Sequence, residues 1–380
     1  MKNKKICFVT INANPEFLGG YALYHKNLIK YLQRNFKNLE INWVYLGEEN
    51  KNFSKNGVNY FELKTNKIKS FLGIGNHLNL ARFFEKNYFD IINSIGGLWT
   101  YFYKKKENQK IIQTFHGTIY YFNKNHLKRF NFLEKIFLFP ILPRSWIMER
   151  PHKKTDKIIC VSEKVKNQAM KLYSFEYKQV KVIRTGVDLK EFKPRNKIKS
   201  IKKLGLEKEN FYGLYVGGGS YWTKGLDRAI KLGKEIFQLD NSFRLLIIGS
   251  DYKKVKHLIN EPFIVFLKNI PREKMSIYYS ASDIFFNMSR YEGGAPTLVT
   301  SEAMASGCLL VCSKDSEQEI VKNNQNSLII EKFNIEDAKR ILEVYHNKKL
   351  REKIIKNSLK TIKELSLEKW GKKTAEALLK

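Results

Sequence analysis

Glu302 offers the sharpest chemistry in the chain. It lies in Arg290-Tyr-Glu292-Gly-Gly-Ala-Pro296-Thr297-Leu298-Val-Thr-Ser-Glu302-Ala-Met-Ala-Ser-Gly307, between the apolar runs Asp283–Asn287 and Cys308–Cys312. That order reads as strand, Gly/Pro-rich loop, short helix, strand. A helix beginning near Thr297 would present uncapped backbone N–H groups, which with the helix dipole attract phosphate. Glu302, over a turn later, is an acceptor-only carboxylate able to take hydrogen bonds from two sugar hydroxyls. Phosphate and ribose recognition on one element suit a nucleotide-sugar site. A second loop, Gly217-Gly218-Gly219-Ser-Tyr-Trp-Thr-Lys224-Gly225, follows another apolar run and opens a helix. Its glycines allow close backbone approach to a phosphate, and Lys224 adds a point charge. His116 ends the run Lys110–Phe115, and strand C-termini open onto the ligand crevice of a doubly wound sheet. No His, Asp or Cys cluster has metal-ligand spacing, so phosphate charge at such a site would be met by Lys224 and helix N–H groups.

The elements that must position these residues alternate between strand-like and helical patterns, the signature of a parallel α/β sheet. In the first half, strands are predicted at residues 5–11, 41–46, 58–63, 90–94, 110–115, 157–161 and 180–184, with helices near 21–35, 76–85, 130–149 and 164–173. A basic stretch over 195–203 reads as a linker and first helix. A second α/β unit then has strands at 211–217, 244–248, 264–267, 283–287, 309–311 and 328–330, and a last helix at 367–379. Cys7, Cys160, Cys308 and Cys312 all fall in predicted strands, where core packing explains them, as in a reducing compartment.

A chain of 380 residues is long enough for two domains. The longest strongly apolar stretch, 136–142, is far short of a spanning helix. The net charge of +32 implies an anionic partner. Residues 101–154 carry 12 basic against 3 acidic residues, mixed with Trp, Phe and Tyr. That mixture suits an anionic membrane surface. Nucleic acid ranks lower, because no zinc, homeodomain or RNA-recognition motif is present.

The segment around Glu302 resembles the retaining nucleotide-sugar enzymes of glycosyltransferase family 4, the group 1 glycosyltransferases. The family's usual pattern is Glu, seven residues, Glu, then Ala-Met-Ala-x-Gly. Glu302 to Gly307 match it, whereas Glu292 stands ten positions before Glu302 rather than eight. Either the Gly-Gly-Ala-Pro loop absorbs two extra residues or the first carboxylate has an altered role. The resemblance implies a GT-B fold: two Rossmann-like, doubly wound parallel-sheet domains facing across a cleft. Residues 1–190 would bind acceptor, 205–360 would bind the nucleotide sugar, and 361–380 would pack back on the first domain. It implies that Gly19 and Gly20 form the loop facing donor phosphates and acceptor. His116 would lie near the donor sugar or acceptor, and Lys224 would neutralise the diphosphate. Glycine at 218 or 219 replaces an expected arginine. The stretch around Ile270 would hold the base, and Pro296, Thr297 and Leu298 would lie along the phosphates. Glu292 would contact the sugar and Glu302 the ribose.

The resulting expectation is a metal-independent, cofactor-free hexosyltransferase. It would use a nucleoside-diphosphate sugar and a glycan or lipid-linked acceptor in surface glycan or glycolipid synthesis. It would be cytoplasmic, with possible peripheral attachment to the inner membrane face. The alternative is a non-catalytic, glycosyltransferase-like scaffold subunit, motivated by the missing arginine and the shifted Glu292.

Overall fold

The computed structural model describes residues 3–11, 14–16, 19–65, 74–217, 221–249, 255–268 and 270–380. The chain divides into two compact units, residues 1–184 with 368–380 and residues 185–367.

The first unit is built on strands β1 (Lys4–Thr10), β2 (Leu39–Gly47), β3 (Lys51–Lys55), β4 (Val58–Lys64), β5 (Ile91–Ser94), β6 (Lys110–Phe115), β7 (Lys157–Cys160) and β8 (Val180–Val182). They pair in the order β3-β4-β2-β1-β5-β6-β7-β8, all parallel except β3 with β4. The sequence reading lacks β3. Its turn, Asn56-Gly57, has both residues at positive φ, the geometry of a tight hairpin that Asn-Gly favours. The strand is polar and mostly exposed, so no apolar alternation advertises it. The single helix expected over 130–149 is broken into Phe132–Leu138 and Ile141–Glu149. Pro140 stands at the break, where it has no N–H to donate to the preceding turn.

Residues 368–380 belong to this unit. Within the terminal helix Leu367–Leu379, the Trp370 ring meets Tyr24 edge-on at 4.9 Å. Lys157 and Lys110 donate to the Ala377 and Lys380 carbonyls at 3.2 and 2.7 Å. Basic side chains thereby satisfy the carbonyls at the C-terminal end of this helix.

The second unit carries β9 (Phe211–Val216), β10 (Phe243–Gly249), β11 (Ile264–Lys268), β12 (Ile284–Asn287), β13 (Leu309–Ser313) and β14 (Leu328–Ile330). The order is β11-β10-β9-β12-β13-β14, and every pairing is parallel. Alternate residues fill separate cores on the two faces. Phe211, Tyr215, Leu245, Ile247, Ile284 and Phe286 lie in one. Tyr212, Leu214, Leu246, Ile248, Phe285 and Leu310 lie in the other. A sheet covered on both faces explains strands that read as near-continuous apolar runs. Cys308 and Cys312 share one of these cores as free thiols.

Candidate functional site

In the second sheet the winding reverses between β9 and β12, which are neighbours. Loops leaving the C-terminal ends of such a strand pair flank a natural ligand crevice. The Lys224 loop leaves β9, and the loop from Met288 to Thr297 leaves β12. Gly218 and Gly219 lie outside the described residues, as do Leu18 and Asn269 of the neighbouring motifs.

Arg290 ties the two loops together. Its guanidinium makes paired bonds of 2.8 and 2.6 Å to the Asp227 carboxylate, stacks over Trp222 at 4.5 Å, and donates to the Trp222 carbonyl. Its backbone N–H donates to the Thr223 carbonyl at 2.9 Å. A bidentate guanidinium–carboxylate pair fixes orientation as well as distance. Gly225, at φ +71°, brings the end of the short helix Tyr221–Lys224 against β12's exit. A Cβ there would come within 1.9 Å of the Met288 carbonyl oxygen, so the position demands glycine.

This clamp brings two of the sequence-derived residues into contact. The Lys224 ammonium lies 2.8 and 3.0 Å from the two Glu292 oxygens. Glu292 is largely buried, while Lys224 remains about two-fifths exposed (38%). Gly293 and Gly294 follow at φ 64° and 81°. Two successive left-handed residues let the chain turn tightly on leaving Glu292. Pro296 is buried, and Leu298 is half-buried at the start of the helix Leu298–Ser306.

The start of that helix requires a correction. It is not uncapped: the Thr297 hydroxyl accepts from the Thr300 N–H at 3.1 Å, and the Thr297 N–H donates to Gln318 Oε1 at 3.1 Å. Thr297 is therefore the N-cap, with its own N–H already engaged. The N–H groups that a helix start leaves for a ligand are those of Leu298 and Val299.

Glu302 sits on this helix, 1% exposed. Its two oxygens accept from the Arg272 guanidinium and from the Tyr279 hydroxyl, the latter at 3.0 Å. Arg272 also stacks over Phe192 at 4.7 Å. Burial works against the guanidinium's charge, but the adjacent Glu302 carboxylate outweighs it and raises the Arg272 pKa. Burial and then Glu302 raise that of the Tyr279 hydroxyl. Arg272 follows Ile270-Pro271, the stretch expected to hold a base, and Ile270 packs at the edge of the same core. Sequence reasoning missed Arg272, Arg290 and Asp227. An arginine right after Ile270-Pro271 is the only local sign of the first.

In the first unit the strand order reverses between β1 and β5. Gly19 caps the helix Gly20–Asn35, which follows β1. Among the described residues nothing lies within 4 Å of where a Gly20 side chain would begin. His116, after β6, meets Tyr24 and Tyr21 of that helix edge-on at 4.3 and 5.1 Å. Its Nε2 is buried with no hydrogen-bond partner among the described residues. Burial, and secondarily His25, pulls the His116 pKa down to about 3, so the ring is neutral near pH 7. His25 lies wholly buried, with Nδ1 2.8 Å from the Tyr21 carbonyl oxygen, and burial lowers its pKa to about 4.

Two family comparisons agree with this geometry. Residues 196–361 match Glycosyl transferases group 1, and residues 18–191 match Glycosyltransferase Family 4. The chain belongs to the family 4, group 1 glycosyltransferases. An uncharacterized glycosyltransferase of Methanocaldococcus jannaschii is 27% identical over 370 residues, covering 93% of this chain and 92% of that protein. The sucrose-phosphate synthase of Thermosynechococcus elongatus superposes with a TM-score of 0.79 at 16% identity, covering 98% of both chains. HepE of Anabaena, solved with UDP-glucose, superposes with a TM-score of 0.68 at 16% identity, covering 98% of both chains. The fold of this glycosyltransferase is GT-B, an α/β fold with two mostly parallel sheets.

Proposed function

We propose that this glycosyltransferase moves a hexosyl unit from a nucleoside-diphosphate sugar to a hydroxyl of a glycan or lipid-linked acceptor, with retention of configuration and without a metal. The observation that carries the donor half is the contact of Lys224 with Glu292, on the loops that leave β9 and β12, with the helix Leu298–Ser306 opening at the end of the second loop. The Lys224 ammonium and the Leu298 and Val299 N–H groups would take the diphosphate. That supplies fixed positive charge where negative charge grows on the leaving group. Glu302 would accept from the ribose hydroxyls, with Arg272 and Tyr279 holding its oxygens in place. Glu292, held by Lys224, would face the sugar. Ile270 and its neighbours would line the base, and Thr297 would order the helix start.

On the acceptor side, Gly19, Gly20 and the neutral His116 ring would receive the sugar or the incoming hydroxyl. Retention follows front-face attack, in which the leaving phosphate takes the acceptor proton, so no side chain is assigned as nucleophile. The basic excess of residues 101–154 supports peripheral work at an anionic membrane surface in surface glycan or glycolipid synthesis. Among the described residues no helix is long and apolar enough to cross a membrane.

The first test is thermal unfolding with UDP, GDP, ADP and their sugar conjugates, each with and without a chelator. A ligand bound only by the folded protein raises its stability, by about 2.7 kcal/mol at a hundredfold excess over Kd. Stabilisation by one nucleotide family, unchanged by chelation, is expected. Flat traces across the panel would favour the scaffold reading, and stabilisation lost on chelation would overturn metal independence.

A further inference from the structure

The helix Phe132–Leu138 is specified locally, yet of its side chains only Leu138 is even partly buried. Asn131 and Glu134 form a reciprocal capping box, each side chain accepting from the other's backbone N–H at 2.9 Å. Pro140 limits it at the far end. A seven-residue helix is marginal in water by itself, and none of its side chains is buried. Phe132, Leu133, Ile136 and Phe137 are 77, 66, 55 and 83% exposed, and Phe139 just beyond is 62% exposed. The spacing 132, 133, 136, 137 gathers the first four on one face. Contiguous exposed apolar surface of this kind marks an interaction site.

The base of this protrusion is anchored. The Ile119 N–H donates to the Glu149 carboxylate at 2.7 Å, Asn123 donates to the Ser145 hydroxyl at 2.7 Å, and Trp146 donates to the Leu172 carbonyl at 2.9 Å. The apolar helix is therefore carried by flanking helices that are tied to the unit's body. Lys124, Lys128, Arg129, Lys135 and Arg144 lie exposed around it. Glu134 is the one acidic residue between 119 and 148, and the capping box uses it. The charge identifies the occupant. A second copy of a chain with net charge +32 would bring cations against cations. An anionic bilayer offers phosphate to the lysines and arginines and a hydrocarbon edge to the phenylalanines.

We propose that Phe132, Leu133, Ile136, Phe137 and Phe139 form a wedge that inserts into the headgroup boundary of an anionic membrane, seated by the surrounding cations. This rests on the peripheral reading above but asserts more: apolar insertion, not charge adsorption alone. Adsorption is screened by salt, whereas burial of apolar area is not.

The full chain is mixed with vesicles of phosphatidylcholine containing about 30 mol% phosphatidylglycerol, and with phosphatidylcholine alone, then sedimented. The wild type is expected to bind the anionic vesicles and to keep a substantial share bound in about 0.5 M salt. Phe132→Ser with Phe137→Ser should cut partitioning by about tenfold or more and make the remainder salt-labile. Its thermal unfolding should stay unchanged, because both side chains are exposed. Lys128→Ala, Arg129→Ala and Lys135→Ala together should remove the preference for anionic vesicles. A serine double variant that binds like the wild type, both released by salt, overturns the wedge and leaves adsorption. A wild type that binds neither vesicle overturns wedge and peripheral reading together. A dimer that the serine double variant dissolves would make the occupant a second copy and also overturn the wedge.

Discussion

Two clusters, one in each unit, sit in opposite electrostatic settings. At the β9/β12 reversal the prominent cations are paired with carboxylates: Lys224 with Glu292, Arg272 with Glu302, Arg290 with Asp227. In the first unit His25, His77 and His116 are kept neutral by burial, and His25 Nε2, both His77 nitrogens and His116 Nε2 have no partner among the described residues. The first arrangement suits a ligand carrying charge, because an incoming diphosphate can compete for cations already oriented by carboxylates. The second suits neutral hydroxyls, which need donors and acceptors but no counter-charge. The contrast is what the proposed reaction would need, with phosphates on the donor and a hydroxyl on the acceptor.

The strongest way to break the comparison is at Glu302. Glu302→Ala should abolish most donor turnover, measured as sugar transfer from the nucleotide sugar identified by the thermal panel. It also strands Arg272 beside Phe192, and leaving one partner of a buried pair costs about 3–5 kcal/mol. The unfolding temperature must therefore be measured alongside. Arg272→Met with Glu302→Leu removes both charges and the acceptor oxygens, so the fold should recover much of its stability while turnover stays low. Restored turnover in that double variant would mean that Glu302 serves the fold and not the donor.

A smaller effect is expected at Lys224 and Glu292, and it splits by ligand. Lys224→Met should weaken binding of the free nucleoside diphosphate by about ten- to a hundredfold, the scale of a charge-assisted contact. Glu292→Gln should do the reverse for the free diphosphate, because the ammonium loses its competing carboxylate, while turnover of the sugar conjugate falls. Calorimetric titration of both variants with diphosphate and sugar conjugate separates these outcomes. If Glu292→Gln weakens the free diphosphate as well, the pair acts only as a structural tie.

The strand-loop-helix carriers of this site were legible because each is local. The run from Asp283 through Gly307 contains its own strand, glycine turns and helix stop, with Gly307 left-handed at the end. The partners were not legible. Arg272 reaches Glu302 across 30 residues and Arg290 reaches Asp227 across 63, and no spacing rule encodes which loops a parallel sheet will set side by side. Glu292 shows both sides of this. Its displacement in sequence was visible, but its landing on Lys224, 68 residues away, depends on the Arg290 clamp and the Gly293–Gly294 turn. The hairpin at Asn56-Gly57 was missed, although its turn dipeptide is one that favours hairpins. The expectation of free N–H groups at Thr297 failed because Gln318, from beyond β13, fills the first of them.

The neutral setting of the first unit makes a pH signature of its own. Burial holds His25 and His77 near 4 and His116 near 3, against an ordinary 6.5. Once unfolded, each binds a proton below 6.5, so stability falls as the pH drops from there toward the folded values. Glu149 acts in the other direction. Burial lifts its pKa from 4.5 to about 8, despite the Ile119 and Tyr120 N–H groups that favour its charged form. Its unfolded carboxyl ionises above 4.5 while the folded one keeps its proton, so stability falls as the pH rises from 4.5 to about 8. Between 4.5 and 6.5 three histidines outweigh one carboxyl, and above 6.5 the carboxyl acts alone. The unfolding temperature of the first unit should therefore peak near pH 6.5 and decline by about 5 °C toward pH 8, corresponding to about 2 kcal/mol. Glu149→Gln keeps an acceptor for the Ile119 N–H but cannot ionise. It should flatten the alkaline decline and leave the acid limb intact, and an unchanged alkaline limb in this variant would remove Glu149 as its cause.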